Sequence, residues 1–444
     1  MATDRFFVKN LTLENFRCFE RAELTPFDPH FNLIVGANGA GKSSVLLALA
    51  NLFRWLGEPE RDSWGKKLVI RDDIRFEHRV GVDGVTTLKL HTPALLSSTF
   101  SLRNQDFVVS ESLASTHSHN RAAPGTFWHP GQRSSGVNTQ TSLPLIALYS
   151  ISRQFRPRGL LDKLNSRLPN DRLNGLAGWS KAGTNAVALR EWIKDQTLAA
   201  LQSLQPQLVD RSAEMQPTMT PKFRQLRLLH AAIVGAVEKA TTIEFDSDRQ
   251  DIVVQFEDGS RKEFAGMSDG QRALIGLVAD IARRACLLNA PFLGASTLLE
   301  TTGLVLIDEL DLHLHPRWQR RVVGDLKRIF PNIQFFATTH SPQIIGEAKP
   351  EEIVVLTPSG QKRPTASYGM NSDWVLECVI EAEGRDPEIA KRIKVLFEAI
   401  ENSRLEDARA MIAELRDVIG EAPDIVAAES YIWNVEHDGE EAAE

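Results

Sequence analysis

A glycine-rich loop near the amino terminus is the feature that first indicates chemistry. Residues 36–43 read GANGAGKS and match the phosphate-binding loop pattern G-x-x-x-x-G-K-[ST]. Glycines permit backbone angles and close approaches that a side chain would block, so backbone N–H groups can face phosphate oxygens. Lys42 can reach β- and γ-phosphates, and the Ser43 hydroxyl can ligate Mg²⁺. The predicted phosphate-binding residues are Gly36, Asn38, Gly39, Gly41, Lys42, Ser43 and Ser44.

Two carboxylates end an apolar segment in the second half of the chain. Residues 304–309 read LVLIDE, which predicts a buried parallel strand that ends in Asp308 and Glu309. Ligands of open α/β sheets bind at this end of the strands. Asp308 is placed to hold Mg²⁺, and Glu309 is placed to orient and polarise the attacking water, because phosphoryl transfer needs mainly positioning and charge neutralisation.

Two weaker motifs lie on either side of this strand. Residues 266–272 read GMSDGQR, and a Ser-x-Gly turn before a helix predicts an anion site formed by Ser268, Gly270 and Gln271. Residues 335–342 read FFATTHSP, an apolar strand ending in His340, which can donate to a γ-phosphate. Alone, the first is a common helix N-cap and the second is a structural histidine. Their order relative to the loop and the acidic strand favours function.

Composition indicates a globular protein of two or three structural units in a reducing compartment. The net charge of −7 over 444 residues gives no global basic footprint for nucleic acid, although a local basic face is compatible with it. Cys18, Cys286 and Cys378 are far apart and odd in number, which predicts free thiols. The amino terminus has no apolar signal core and no run is long enough to span a membrane, so we expect a cytoplasmic protein without membrane contact.

The elements that position these motifs are short strands alternating with helices. Strands are predicted over residues 5–19, 23–26, 31–35 and 143–151. Two pairings are predicted: 86–92 with 100–102, and a hairpin from 252–256 to 262–264. Helices are predicted over 45–53, 188–201, 223–237 and 273–288, with breaks at Pro206, Pro217 and Pro221. Residues 110–142 are predicted to form a long loop, whose His117, His119 and His129 are either plain loop histidines or an incomplete zinc site.

The order of the motifs, together with DLHLHP at 311–316, resembles the ABC-type ATPase heads of the SMC and RecF class. The Ser268 signature is similar to their SGG motif, with Asp269 replacing the middle glycine. Such SDG forms, and NFR at 15–17, resemble the branch that holds the OLD-like and defence-associated ATPases. The resemblance implies an α/β fold: a P-loop ABC-type ATPase head with a mixed or parallel sheet and flanking helices. Its halves would be 1–154 and 243–357, with a helical insertion at 155–242 and a helical C-terminal region at 358–444.

This resemblance also implies a function. It implies ATP and Mg²⁺ as cofactors, catalytic roles for Lys42, Glu309 and His340, and Mg²⁺ ligation by Ser43 and Asp308. ABC-type heads bind ATP between two subunits, which implies a head-to-tail homodimer or a higher even-numbered oligomer. Arg17 either touches nucleotide or the partner head, or is a plain surface arginine.

Several other functions compete with active hydrolysis. They are a slow ATP-gated switch, an SMC- or RecF-like DNA-repair ATPase, and a transporter's nucleotide-binding subunit. The helical insertion, the SDG signature and the helical tail argue against the transporter. An intrinsic nuclease is disfavoured as well, because the acidic pair at Asp246 and Asp248 precedes the signature instead of following His340.

Motifs in the C-terminal region indicate which subfamily of these ATPases the chain resembles. Residues 368–377, YGMNSDWVLE, and 385–388, RDPE, look like the same region of the Septu and retron-associated ATPases (PtuA-like). That family works beside an HNH nuclease in defence against phage, so the implied partner is a nuclease, with nucleic acid reached through it. The tail is predicted to be helical from Pro387, with a capping box at 403–406 and a stop at Gly420. Its helices either pack on their own head or dock the nuclease.

Overall fold

The computed structural model describes residues 5–57, 73–80, 86–113, 121–122, 142–151, 172–182, 186–209, 221–290, 294–357, 360–380, 387–420 and 422–437. Two compact units, Met1–Val375 and Leu376–Glu444, make up the chain. The predicted insertion, 155–242, belongs to the first unit, and the finer four-part division of the sequence stays a prediction. The loop histidines His117, His119 and His129 lie outside the described residues.

The first unit contains both strands and helices, and the described residues of the second unit form helices without strands. The strands are β1 (Phe7–Val8), β2 (Leu11–Phe16), β3 (Phe19–Leu24), β4 (Phe31–Val35), β5 (Phe76–Val80), β6 (Thr86–Leu90), β7 (Ala94–Leu102), β8 (Gln105–Leu113), β9 (Arg121–Ala122), β10 (Leu145–Tyr149), β11 (Ala240–Asp246), β12 (Asp251–Phe256), β13 (Arg261–Glu263), β14 (Gly303–Ile307), β15 (Ile333–Thr338), β16 (Ile353–Thr357) and β17 (Gly360–Lys362). The α-helices are α1 (Lys42–Leu52), α2 (Ala186–Val209), α3 (Pro221–Ala236), α4 (Asp269–Leu288), α5 (Thr297–Glu300), α6 (Pro316–Ile329), α7 (Pro342–Ile345), α8 (Ser372–Val375), α9 (Pro387–Glu401), α10 (Leu405–Ile419) and α11 (Pro423–His437).

A central six-stranded sheet carries the predicted motifs. Its order is β10-β14-β15-β4-β16-β17, parallel throughout except for the antiparallel edge strand β17. Strands β4, β14 and β15 are fully buried, which explains why they read as continuous apolar runs. Ile307 lies opposite Ala337, and Thr338 lies opposite Ile34, so the three strands end at the same edge. The predicted fold class, α/β with a mixed sheet, is confirmed.

Antiparallel pairing among the amino-terminal strands, in a six-stranded sheet and a separate two-stranded sheet, corrects three predictions. Residues 86–90 pair with Phe76–Val80 and not with 100–102, because β7 folds back on β8 through Arg103 and Asn104. Both of these turn residues have positive φ, as the tight two-residue hairpin turn requires. The predicted loop at 110–142 begins too early, since β8 continues to Leu113. The strand predicted at 23–26 spans Phe19–Leu24, where it pairs with β2.

The segment between the two halves of the central sheet contains helices α2 and α3. Pro206 does not end α2, which continues to Val209, whereas Pro221 is the first residue of α3. The hairpin predicted around Asp258 and Gly259 is confirmed by the pairing of β12 with β13. A third strand, β11, pairs with β12 and was not predicted.

The C-terminal unit is a three-helix arrangement with its own apolar core. Helices α9 and α10 bury one apolar face each, as the sequence predicts, and α11 adds a third face that was not predicted. Their core residues are Ile393, Leu396, Ala399, Ile400, Ala408, Ile412, Leu415, Ile425, Ala428 and Ile432. The capping box predicted at 403–406 is wrong, because the N-cap of α10 is Arg404 and makes no side-chain cap hydrogen bond. Ser403 has φ 56° and closes the end of α9 instead, with Arg404 N–H donating to Ala399 O at 2.8 Å. Gly420 ends α10, as predicted.

Free thiols and the lack of a membrane span were both predicted. Cys18, Cys286 and Cys378 are all free cysteines. Within the described ranges, no helix combines the length and the apolar character that crossing a membrane requires.

Candidate active site

The glycine-rich loop lies between β4 and α1, as the motif predicts. Gly41 is the N-cap of α1 and has φ 96°, a left-handed conformation that favours glycine. A Cβ at this position would also lie 2.6 Å from Cys18 Sγ and against the ring of Phe19. The loop therefore packs closely on the β2–β3 turn, and the N-terminal end of α1 points into it. This is the arrangement that binds anions through free backbone N–H groups and the helix dipole.

Lys42 is held within the curve of the loop. Its Nζ donates to Gly36 O and to Ala37 O, each at 2.9 Å. Burial lowers the pKa of Lys42, and the nearby carboxylates of Asp308, Glu309 and Asp311 oppose that shift. The carboxylates thus favour the cationic form that a phosphate group would need.

Asp308 lies at the end of β14 and is 8 % exposed. Its Oδ1 accepts from Ser43 Oγ at 3.0 Å and from Thr338 Oγ1 at 2.7 Å. A hydroxyl beside a carboxylate is the hard oxygen donor set that Mg²⁺ binds, with water filling its other positions. The predicted Mg²⁺ residues therefore come together and fit the ion. In the described part of the chain, no cluster of three or more His, Cys, Asp or Glu side chains offers a different metal site.

An unusual backbone conformation sets the position of Glu309. Its φ of 50° places a non-glycine residue in the left-handed region, which costs on the order of 1–3 kcal/mol. Two hydrogen bonds from this turn to Thr338 hold it: Glu309 N–H to Thr338 Oγ1 at 2.7 Å, and Leu310 N–H to Thr338 O at 2.8 Å. Thr338 therefore supports both acidic residues. Its role was not predicted from the sequence, although its place directly before Thr339 and His340 at a strand end was a usable signal.

These residues line one pocket of about 330 Å³. Its walls are Arg17, Cys18, Asn38, Gly39, Gly41, Lys42, Ser43, Ser44, Asp308, Glu309, Thr338 and His340. Of the predicted loop residues, Gly36 does not line the pocket but packs on β16, where a Cβ would approach Leu356 O at 2.8 Å. Arg17 is paired with Asp73 at 2.6 Å, with its Nη1 3.5 Å from Ser44 Oγ, so it belongs to the wall beside the loop.

The signature residues lie in a different pocket. Ser268 is the N-cap of α4 and shares a reciprocal capping box with Gln271, with both hydrogen bonds at 3.3 Å. A Cβ at Gly270 would meet the carbonyl oxygen of His313, so the signature packs directly on the 311–316 segment. This second pocket, about 830 Å³, shares no lining residue with the first. The fold thus separates Ser268, Gly270 and Gln271 from the other predicted residues.

The segment after β14, residues 311–316, is tied to the histidine strand. Thr339 Oγ1 donates to Asp311 Oδ1 at 2.5 Å, and Ser341 Oγ donates to Gln319 Oε1 at 2.7 Å. Thr339 and Ser341 flank His340, whose own side chain is exposed at the pocket wall. The surroundings of His340 are therefore connected to the segment that packs on the signature.

Two protein-family models match parts of the sequence. The description "AAA domain" matches residues 10–121, and "AAA domain, putative AbiEii toxin, Type IV TA system" matches residues 143–346. The Vibrio cholerae (serotype O1 biovar El Tor) protein "Retron Vc95 probable ATPase" is 25% identical over 443 residues, covering 90% of this chain and 85% of that protein. Over most of its length, the chain is thus similar to proteins named as retron and Septu components. For Septu, "Septu protein PtuA" of Bacillus thuringiensis is 23% identical over 391 residues, covering 84% of this chain and 83% of that protein.

Among solved structures, the chain is similar to an SMC head bound to the C-terminal winged-helix domain of ScpA. The TM-score is 0.43 at 16% identity, and the match covers 80% of this chain and 96% of the other.

The geometry of the first pocket suits phosphoryl transfer to water. Bound Mg²⁺ and ATP would supply a positively charged centre and the phosphoryl group. Ser43 and Asp308 can hold the ion, the loop N–H groups and Lys42 can bind phosphate oxygens, and Glu309 can orient a water molecule. The contacts described above hold Lys42, Ser43, Asp308 and the backbone of Glu309, and preorganisation of this kind gives charged groups their catalytic effect.

Proposed function

We propose that the chain hydrolyses ATP with Mg²⁺, using Glu309 to orient the attacking water, Asp308 and Ser43 to hold the ion, and Lys42 and His340 to contact the phosphates. One observation carries this proposal: the loop, both carboxylates, Thr338 and His340 line a single pocket. The family models and the relatives named as ATPases support the same chemistry.

The same proposal includes a head-to-tail dimer with two composite ATP sites. Ser268 is exposed at the N-terminal end of α4, in a pocket that shares no lining residue with the P-loop pocket. A γ-phosphate would meet this helix end only if a second copy of the chain presented it. Closed two-fold symmetry then generates two equivalent sites from one pair of surfaces.

Ser268→Arg tests the dimer. The substitution leaves each P-loop intact but places a bulky cation where the partner's γ-phosphate would bind. We expect ATP binding to persist, while ATP-dependent dimerisation is lost and hydrolysis falls about 100- to 1000-fold, as for loss of one preorganised polar group.

Ser296→Arg is the matched control, because Ser296 is also an exposed N-cap serine but makes no side-chain cap hydrogen bond and lines neither pocket. Analytical ultracentrifugation with and without ATP, and phosphate release, are the measurements. If the Ser268→Arg protein hydrolysed ATP at the wild-type rate, this would contradict the proposal that Ser268 acts in the ATP site of the partner chain.

At the cellular level, we propose that this ATPase controls an HNH-type nuclease in the cytoplasm, as part of bacterial defence against phage. Support comes from its relation to retron and Septu proteins over most of the chain. ATP turnover separates active hydrolysis from a slow switch: a wild-type turnover far below one per minute, with a nuclease that responds to ATP binding alone, would favour the switch.

A further inference from the structure

Tyr149, the last residue of β10, is hydrogen-bonded both to Asp308 and to the helix that begins at the signature. Its backbone carbonyl accepts from Asp308 N–H at 2.8 Å, and its hydroxyl donates to Asp280 Oδ2 at 2.8 Å. Asp308 carries the metal-binding carboxylate, and Asp280 lies on α4, the helix that begins at the signature. Tyr149, whose side chain is fully buried, is therefore bonded to Asp308 through its backbone and to the signature helix through its hydroxyl.

Neighbouring arginines keep Asp280 ionised, so its carboxylate stays an acceptor for the Tyr149 hydroxyl. Burial alone would raise the pKa of Asp280, but Arg284 and Arg283 outweigh burial and hold the pKa well below its usual value. Arg284 Nε and Arg283 Nη2 each donate to this carboxylate at 2.7 Å. Burial and the adjacent carboxylate raise the pKa of Tyr149 well above its usual value, so the hydroxyl stays a neutral donor.

Arg284 extends the connection to a third element. Its Nη1 donates to Gly175 O and to Ala177 O, each at 3.0 Å, and Ala182 N–H of the same segment donates to Leu148 O at 3.0 Å. The network thus closes a ring from β10 through α4 to residues 172–182 and back to β10. Fully satisfied buried polar networks are rigid, whereas an incomplete one is costly. Here the rigid ring lies between two parts of the head that serve different sites.

We propose that Tyr149 is a positioning residue that couples the two ATP sites of the dimer, which rests on the proposed function. In a head-to-tail dimer, Asp308 of one chain belongs to one site and Ser268 of the same chain belongs to the other. Asp280 lies twelve residues after Ser268, about 18 Å along a helix that rises about 1.5 Å per residue. A shift of the Asp308 backbone when its site fills is passed through Tyr149 to α4, and so to Ser268. Such coupling is reciprocal between the sites.

Tyr149→Phe tests the coupling with little disturbance. The ring and its packing remain, and Asp280 stays paired with both arginines, so no buried charge loses its partners. Ser98→Ala is the matched control, because Ser98 is also buried and its hydroxyl makes one hydrogen bond, to Asn10 O at 2.6 Å, outside the ring. The measurements are the Kd of ATP for the isolated chain, the kcat of hydrolysis and its Hill coefficient against ATP concentration.

We expect wild-type hydrolysis to be cooperative and the Tyr149→Phe protein to lose that cooperativity, with a Hill coefficient near 1 and an unchanged Kd. Ser98→Ala should keep the wild-type Hill coefficient. In a Ser268→Ala background, Tyr149→Phe should cause no further fall in kcat, because the path to the partner's site is already broken. A merely structural hydroxyl would instead give independent effects on kcat in the two backgrounds.

Three results would overturn the coupling: a wild-type Hill coefficient of 1, unchanged cooperativity in Tyr149→Phe, or additive effects with Ser268→Ala. A wild-type protein without hydrolysis would overturn the proposed function instead. Normal hydrolysis with unchanged cooperativity removes only the role of Tyr149.

Discussion

Asp308 and Glu309 are neighbours in the chain but are held in different ways. The Asp308 carboxylate is fixed by side-chain hydroxyls, whereas Glu309 is directed by a strained backbone. Thr338 takes part in both: it donates to Asp308 Oδ1 and accepts from Glu309 N–H. A typical hydrogen bond contributes about 0.5–1.5 kcal/mol, so the two bonds from the turn to Thr338 can offset strain of about 1–3 kcal/mol. The site is therefore preorganised at the scale of single residues.

Glu309→Gln tests the proposed water-orienting role. The substitution keeps the size of the side chain and leaves Asp308, Ser43 and the loop unchanged, but removes the charge proposed to polarise water. We expect ATP affinity to stay within about twofold, and hydrolysis to fall about 100- to 1000-fold, the usual effect of losing one such preorganised group.

Binding of a fluorescent ATP analogue and phosphate release would measure the two effects of Glu309→Gln. Glu300→Gln is the control, since Glu300 is exposed on α5 and lines neither pocket. Near-normal hydrolysis by the Glu309→Gln protein would remove Glu309 from this role.

At the scale of elements, the sequence predicts the strands that hold the site better than it predicts how other strands pair. Strands β4 and β14 are continuous apolar runs next to motifs, so periodicity and chemistry point to the same elements. Their order in the sheet, with β15 between them, follows from the whole packing of the head and no local pattern encodes it.

Two local errors have physical causes. The β7–β8 turn uses Arg103 and Asn104 at positive φ, without the glycine that usually marks such a turn. Ser403 ends α9 in a left-handed conformation although its sequence context matches a capping box, because the geometry of two adjacent helix ends decides which role it takes. Similarly, the bond from Tyr149 to Asp280 joins residues 131 positions apart, and short-range patterns do not reveal it.

Gly270→Ala tests the contact between the signature and residues 311–316. Its added Cβ would clash with the backbone carbonyl of His313 and lie 3.2 Å from the Trp318 ring, so α4 or the segment must shift. A misplacement of about 1 Å at a catalytic site can cost about 100-fold in rate. We expect a kcat lower by about that factor, with unchanged ATP binding to the P-loop of the isolated chain.

Gly266→Ala is the matched control, because a Cβ at Gly266 meets no atom within 4 Å. Steady-state kinetics and ATP titration of both proteins are the measurements. Equal kcat values for the two alanine variants would show that the close approach at Gly270 is not required for hydrolysis.

At the scale of the whole molecule, the C-terminal unit has exposed apolar side chains of the kind found at protein interfaces. Its three helices bury a core of their own and are joined by ion pairs, Arg392 with Glu414 at 3.0 Å and Arg416 with Glu429 at 2.7 Å. Large apolar side chains nevertheless remain exposed on α10 and α11: Val418, Val426, Tyr431 and Trp433. Exposed apolar and aromatic groups of this kind are typical of interaction surfaces.

Trp433→Ser is therefore expected to weaken binding of the proposed nuclease. Trp433 is 60% exposed, and replacing an aromatic anchor at an interface often costs about 2 kcal/mol or more, which is about a 30-fold weaker Kd.

Val108→Ser is the control, because Val108 is equally exposed but lies on β8 of the first unit. Leu201→Ser, on α2, examines the insertion as the alternative docking surface. The measurement is a pull-down titration of the co-expressed HNH nuclease, with ATP binding as the test that each head is folded. Loss of binding with Leu201→Ser but not with Trp433→Ser would move the docking surface to the insertion, and unchanged binding in both would exclude these two surfaces as the main contact.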